Sequence, residues 1–102
     1  MATTNKKRVL HTDTMGKAGR EILARREDVE AIPFSNFITP ADYQALLKKH
    51  APVSAVILGA TKFTAAEQQA AGGLPVVART GVGYDAIDIP AMTKAKVPVL
   101  IA

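Results

Sequence analysis

The residues best equipped for chemistry lie in one stretch, Ala78-Arg79-Thr80-Gly81-Val82-Gly83-Tyr84-Asp85-Ala86-Ile87-Asp88. A glycine turn of this kind presents consecutive backbone N–H groups, the arrangement that binds anions, and at Gly83 no side chain crowds the approach. Arg79 stands just before the turn, where its guanidinium can grip a carboxylate through two parallel bonds. Because Arg79 directly continues an apolar run, a structural ion pair with Asp85 or Asp88 is the favoured reading over such a clamp. Asp85 and Asp88 themselves read as turn and helix-cap residues rather than as catalytic acids.

The same stretch contains Gly81-x-Gly83-x-x-Ala86, a relaxed form of the dinucleotide fingerprint. Three features argue against that use. The helix of the fingerprint begins at the second glycine, whereas Asp85, Asp88 and Pro90 place a helix start several residues later. Two carboxylates would sit where diphosphate charge belongs. The ribose-binding acid expected about 20 residues further on would fall beyond Ala102.

The histidines offer less. His11 ends an apolar run with no positioned partner in view, and His50 reads as the last residue of a helix, where the helix dipole favours it.

The elements that must position these residues follow from hydrophobic period. Short apolar runs at 8–11, 29–33, 53–58, 75–78 and 97–101 alternate with helical patterns, recurring every strand-plus-helix length. The runs are continuous, as in Ala55-Val56-Ile57-Leu58, which is how strands covered on both faces read. Helix starts are legible between them. Thr39-Pro40-Ala41-Asp42 supplies a capping hydroxyl, a proline in the first turn and an acid at the third position, with Ile38 able to pack on Tyr43. Tyr43, Leu46 and Leu47 then form one apolar stripe. Thr64-Ala65-Ala66-Glu67 is a capping box whose helix should stop at Gly72-Gly73. Asp88 can cap a further helix, with Ile87 facing Met92. The first helix, over about 17–26, should bury Ala18, Ile22 and Leu23.

These units imply an α/β fold, a flavodoxin-like doubly wound parallel sheet of about five strands in the order 2-1-3-4-5, with helices on each side. The fifth run ends at the chain terminus, so the final covering helix is expected to be missing. Ligands of such sheets bind beyond the carboxyl ends of the strands beside the switch point, which points to the loops at 12–16, 59–62 and 79–85.

The motif Arg-x-Gly-Val-Gly-x-Asp-x-Ile-Asp, with Leu74-Pro75-Val76-Val77-Ala78 before it and Ala-Met-Thr-Lys-Ala-Lys-Val-Pro-Val after it, resembles the substrate-binding domain of the D-isomer-specific 2-hydroxyacid dehydrogenases. Phosphoglycerate dehydrogenase and glyoxylate/hydroxypyruvate reductase belong to that family. Val56-Ile57-Leu58-Gly59-Ala60-Thr61-Lys62-Phe63-Thr64 resembles its third strand and following loop. The resemblance is strong over 53–100, looser over 7–52 and absent in 1–6. It implies that the backbone amides of Val82 and Gly83 receive the substrate carboxylate, with Gly59 and Ala60 as the second wall and Gly81 and Arg79 as further candidates. Many relatives carry Asn after the Pro-Val-x of the fifth strand, where this chain has Ile101.

The resemblance also implies what lies elsewhere. Family members move hydride between NAD or NADP and a 2-hydroxy or 2-oxo acid with an Arg, a Glu and a His in later segments, so no catalytic residue, cofactor site or metal site is expected here. The expected organisation is a polar, disordered leader at 1–6 and a truncated substrate-binding domain at 7–102, inactive without its nucleotide-binding domain. A stand-alone flavodoxin-like module is the alternative: Thr12-Asp13-Thr14-Met15-Gly16-Lys17 faintly echoes an FMN phosphate loop, but Tyr84 is the sole aromatic available to cover a flavin.

Composition narrows the classes. The 102 residues are 48% hydrophobic and 22% charged, which excludes disordered and collagen-like chains and leaves room for one domain. No apolar stretch approaches the roughly 20 residues that span a bilayer. The net charge of +4 comes from scattered clusters with few aromatics, so nucleic acid is not an expected partner. The basic start at 1–8 lacks the apolar core of a secretory signal, and the absence of cysteine reads as a reducing, cytoplasmic setting. Apolar sheet surface left uncovered favours a homodimer or weaker self-association.

Overall fold

The computed structural model describes residues 7–80 and 86–101. The chain runs β1 (Lys7–Thr12), α1 (Lys17–Ala24), β2 (Val29–Phe34), α2 (Pro40–His50), β3 (Ala55–Leu58), α3 (Ala65–Ala70), β4 (Val77–Arg79), α4 (Ile89–Lys94) and β5 (Val99–Ile101). All pairings are parallel and the sheet order is β2-β1-β3-β4-β5, as the alternation of runs and helices requires. Each apolar run overlaps a strand, with shifted ends. Val53 precedes β3 and donates its N–H to Ala71 O at 3.0 Å. Val97 precedes β5, because its N–H closes the end of α4 on Met92 O at 2.9 Å.

The caps behave as their residue types dictate. Thr39 Oγ1 accepts from Asp42 N at 3.2 Å, and Asp88 Oδ1 accepts from Ala91 N at 3.1 Å. Thr64 and Glu67 form the reciprocal capping box, and the buried Glu67 carboxylate also accepts from Gln44 Nε2 at 2.7 Å. Gly72 and Gly73 end α3 with φ of 81° and 79°, a left-handed backbone that glycine adopts without a Cβ penalty. Lys96 takes the corresponding position after α4 with φ of 60°, where an L side chain is strained.

The strand order reverses direction at β1. Right-handed crossovers then place α1 on one face of the sheet and α2, α3 and α4 on the other. The core lies on the three-helix face: the row Leu10, Val56, Val77 and Val99 is in register across four strands. Tyr43 and Leu47 of α2, Ala70 of α3 and Met92 of α4 pack against it, and no residue of α1 joins. Phe34, Tyr43 and Phe63 stack inside this layer, with ring centroids 4.9 and 6.3 Å apart.

The opposite face corrects two expectations. Continuous apolar runs suggested full cover on both sides, yet the row Pro33, His11, Ile57, Ala78 and Leu100 is unevenly covered, with Leu100 59% exposed. The expected buried side of α1 is absent: Ala18 and Ile22 are exposed and Leu23 is half-buried. A single eight-residue helix is too short to shield a five-stranded face, and its apolar positions have no second helix to meet. Among the described residues, no helix is long and apolar enough to cross a membrane.

Candidate functional site

Three loops converge at the carboxyl edge of the sheet, around the reversal between β1 and β3. Their junction is built on Asn36, just after β2. Its Oδ1 accepts from the Ala60 N–H at 2.9 Å and from Thr12 Oγ1 at 3.3 Å. Its own N–H donates to Asp13 Oδ1 at 3.1 Å. Thr12 Oγ1 further pairs with Thr14 Oγ1 at 2.9 Å. One side chain thus ties together the loops that follow β1, β2 and β3.

Gly59 is buried at this junction, and a Cβ built on it would collide with Asn36 Oδ1 and lie 3.1 Å from Thr14 Oγ1. Its lack of a side chain is required by the close approach of the Asn36 carboxamide, a reason distinct from the ligand-wall role expected of it. Ala60 is exposed, but its N–H is held by Asn36 and is not open to an acid. Asn36 was not among the residues singled out from sequence. The signal for it is the pairing of an Asn after the second strand with a glycine after the third, which only the sheet order makes adjacent.

The loop after β4 is fastened to the same region at both of its described flanks. Thr80 donates through its N–H at 2.8 Å and through Oγ1 at 3.2 Å to Leu58 O, at the end of β3. On the far side, Phe63 N donates to Ala86 O and Asp88 N to Phe63 O, each at 2.9 Å, forming a parallel bridge between Phe63 and Ile87. The segment 59–62 and the segment between Thr80 and Ala86 therefore start and end side by side. Gly81, Val82, Gly83 and Asp85 lie outside the described residues, as does Tyr84.

Arg79 ends β4 half-buried, and its Nε is buried with no hydrogen-bond partner among the described residues. It makes no ion pair with Asp88, whose carboxylate caps α4 instead. His11 is buried, with Nδ1 at 3.1 Å from Thr12 O. His50 ends α2, where its carbonyl accepts from Arg8 Nη1 at 3.1 Å. No cluster of metal-ligating side chains exists among the described residues. In the core beneath the site, burial and the neighbouring Glu67 carboxylate push the Tyr43 phenol above its ordinary range.

Between the β2–α2 and β3–α3 loops lies a cleft of about 320 Å³, lined by Asn36, Phe37, Ile38 and Pro40 on one side and Ala60, Thr61 and Lys62 on the other. Its size is at the low end for small-molecule sites, roughly 300–1,000 Å³. Among the described residues, the start of the helix after β4 does not suit a diphosphate. The helix after β4 starts only at Ile89, and the Asp88 carboxylate occupies the N-terminal position that a diphosphate would need.

Comparison with known proteins shows what the chain is similar to. The chain is 39% identical over 94 residues to D-3-phosphoglycerate dehydrogenase 2, chloroplastic, of Arabidopsis thaliana, covering 90% of this chain and 14% of that protein. The fold matches that of NAD+-bound 3-phosphoglycerate dehydrogenase from Entamoeba histolytica with a TM-score of 0.77 at 22% identity, over 94% of this chain and 32% of the other. It also matches D-lactate dehydrogenase from Escherichia coli, with a TM-score of 0.66 at 13% identity, over 93% and 30%. The chain thus spans about a seventh of the curated relative and about a third of the solved ones. The family model for the D-isomer specific 2-hydroxyacid dehydrogenase catalytic domain matches residues 9–102, and the chain belongs to that family.

Proposed function

We propose that this chain is the acid-binding unit of an NAD- or NADP-dependent D-2-hydroxyacid dehydrogenase. In this reading the substrate carboxylate is received by the backbone N–H groups of Val82 and Gly83, with Gly81 easing the turn. Arg79 supplies the counter-charge, which is consistent with a buried Nε that has no partner among the described residues. Gly59 and Ala60 shape the facing wall, held in place by Asn36. The observation that carries the reading is the double fastening of the segment between Thr80 and Ala86 onto the β3–α3 loop at the sheet's switch point.

The reaction of the whole enzyme removes hydride from C2 of the acid, passes it to the nicotinamide and leaves a 2-oxo acid. That step needs a base for the hydroxyl proton and a nucleotide-binding domain, and we assign both to segments outside this chain. Alone, the chain binds the acid and transfers no hydride. Amide NMR of the ¹⁵N-labelled chain titrated with D-lactate tests this: the amides of Val82 and Gly83 should shift together in a saturable way. Shifts spread over surface lysines without saturation at Val82 and Gly83 would overturn it, as would NAD reduction by the purified chain.

A further inference from the structure

The two edges of the sheet are built differently. Along a strand, successive residues turn their N–H and C=O groups to opposite sides. Lys7 N–H donates to Asp28 O at 2.9 Å and Asp13 N–H to Phe34 O at 2.8 Å, so Glu30, Ile32 and Phe34 of β2 face β1. Val29, Ala31 and Pro33 therefore face outward, and Pro33 has no N–H to offer there. A proline at such a position blunts an edge against pairing.

The β5 edge has no such guard. Val77 N–H donates to Pro98 O at 3.1 Å, which turns Pro98 and Leu100 toward β4 and leaves the N–H and C=O groups of Val99 and Ile101 on the open side. Among the described residues, no strand pairs with that side. No charged residue lies in β5. Its side chains are apolar on both faces: Ile101 is 40% exposed on the three-helix face, and Leu100 is exposed on the other. A groove of about 370 Å³ runs beside this edge on the three-helix face, with Ile89, Met92, Val97, Val99 and Ile101 in its lining.

We propose that β5 pairs antiparallel with β5 of a second copy of this chain, joining two five-stranded sheets into one continuous sheet. The strand is its own complement. With a two-fold axis at Leu100, Val99 of each copy stands opposite Ile101 of the other, and each such pair exchanges both of its N–H to O bonds. These bonds satisfy every outward backbone group of Val99 and Ile101 in both copies. The two Leu100 side chains meet across a non-hydrogen-bonded pair, where Cα atoms approach to about 4.5 Å. On the opposite face, Ile101 of the partner subunit lies beside Val99 at the apolar groove. A polar extended segment could make the backbone bonds but would leave Leu100 and the groove without apolar contact. A second β5 supplies both in the same register.

A contact of three residues per strand is small, so the dimer belongs to the weak class of interfaces. Sedimentation equilibrium between about 0.02 and 2 mM should show the mean mass rising from that of one chain toward that of two. In an equal mixture of ¹³C-labelled and unlabelled chain, isotope-filtered NOEs should link Leu100 to Leu100 and Val99 to Ile101 across the copies. I101P removes an outward N–H without touching a bond to β4, and should weaken the dimer about tenfold while Tm at the lowest concentration holds. I101V keeps the N–H and should dimerise about as well as the native chain. In the native chain, the Val99 and Ile101 amides should exchange slowly with deuterium at the highest concentration and fast at the lowest. A chain monomeric throughout overturns the pairing, as does a dimer that lacks the Leu100 NOE or one that folded I101P leaves intact. Slow exchange of both amides in a monomer would place a segment of the same chain on the edge and also overturn it.

Discussion

Replacing Gly59 with alanine tests the junction at its tightest point. The new Cβ would occupy the place of Asn36 Oδ1, so the carboxamide must leave and its bonds to the Ala60 N–H and Thr12 Oγ1 must break. At a net contribution of about 1 kcal/mol for each bond, Gly59→Ala costs about 2 kcal/mol. For a domain of this size that lowers Tm by roughly 8–16 °C, at about 4–8 °C per kcal/mol. No backbone strain adds to this, because Gly59 does not adopt a left-handed φ. Asn36→Ala removes the same two bonds and should cost a similar amount. In the double variant the methyl group enters space that Asn36 has vacated, so its cost should match one single variant rather than the sum, a coupling of about 2 kcal/mol. Urea unfolding of the four proteins measures this directly. Additive losses, or a neutral Gly59→Ala, would refute the steric account of the glycine.

The Tyr43 hydroxyl is buried without a partner among the described residues, so Tyr43→Phe should leave stability at pH 7 unchanged or raise it by about 1 kcal/mol in urea melts. The raised phenol pKa carries a signed consequence. Stability is fully present below the unfolded-state value near 10 and falls as pH rises above it, by about 1.4 kcal/mol per pH unit, and Tyr43→Phe should flatten that alkaline limb. Lys96→Gly relieves a left-handed residue at the end of α4 and should raise stability by about 0.5–1 kcal/mol, read as Tm by calorimetry. Light scattering should show self-association at high concentration through the sheet face bearing Ile57 and Leu100, and Leu100→Glu should reduce it without lowering Tm.

What could be read from sequence divides according to the distance over which each residue's reason acts. Thr39, Thr64 and Asp88 cap helices through partners two or three positions away, and Gly72-Gly73 stops α3 through its own φ angles, so local pattern suffices. The sheet order was legible because crossover rules leave few alternatives. Ile22 looked like a core residue because helical spacing shows which face is apolar, and spacing carries no record of what stands opposite. Gly59 drew notice as a ligand wall, and the structure adds a separate packing reason that sequence did not show: the Asn36 side chain, 23 positions earlier, brought close by the placement of β1 between β2 and β3. Asp88 resolved to a cap because its carboxylate oxygen is engaged by the Ala91 N–H.

The sparse packing of α1 has a kinetic counterpart. This helix buries no residue completely, begins at Gly16 with no side-chain cap, and has neither an acid in its first turn nor a base in its last. Little free energy then separates its folded and locally open forms, so its amides should exchange with solvent deuterium well before those of β1 and β3. Met15, packed beside Gly19, would share that opening and become accessible to oxidants while the three-helix layer stays shut. The two faces of one sheet would thus live on different clocks, the fast one ending two residues from the Asp13 carboxylate that holds the Asn36 backbone.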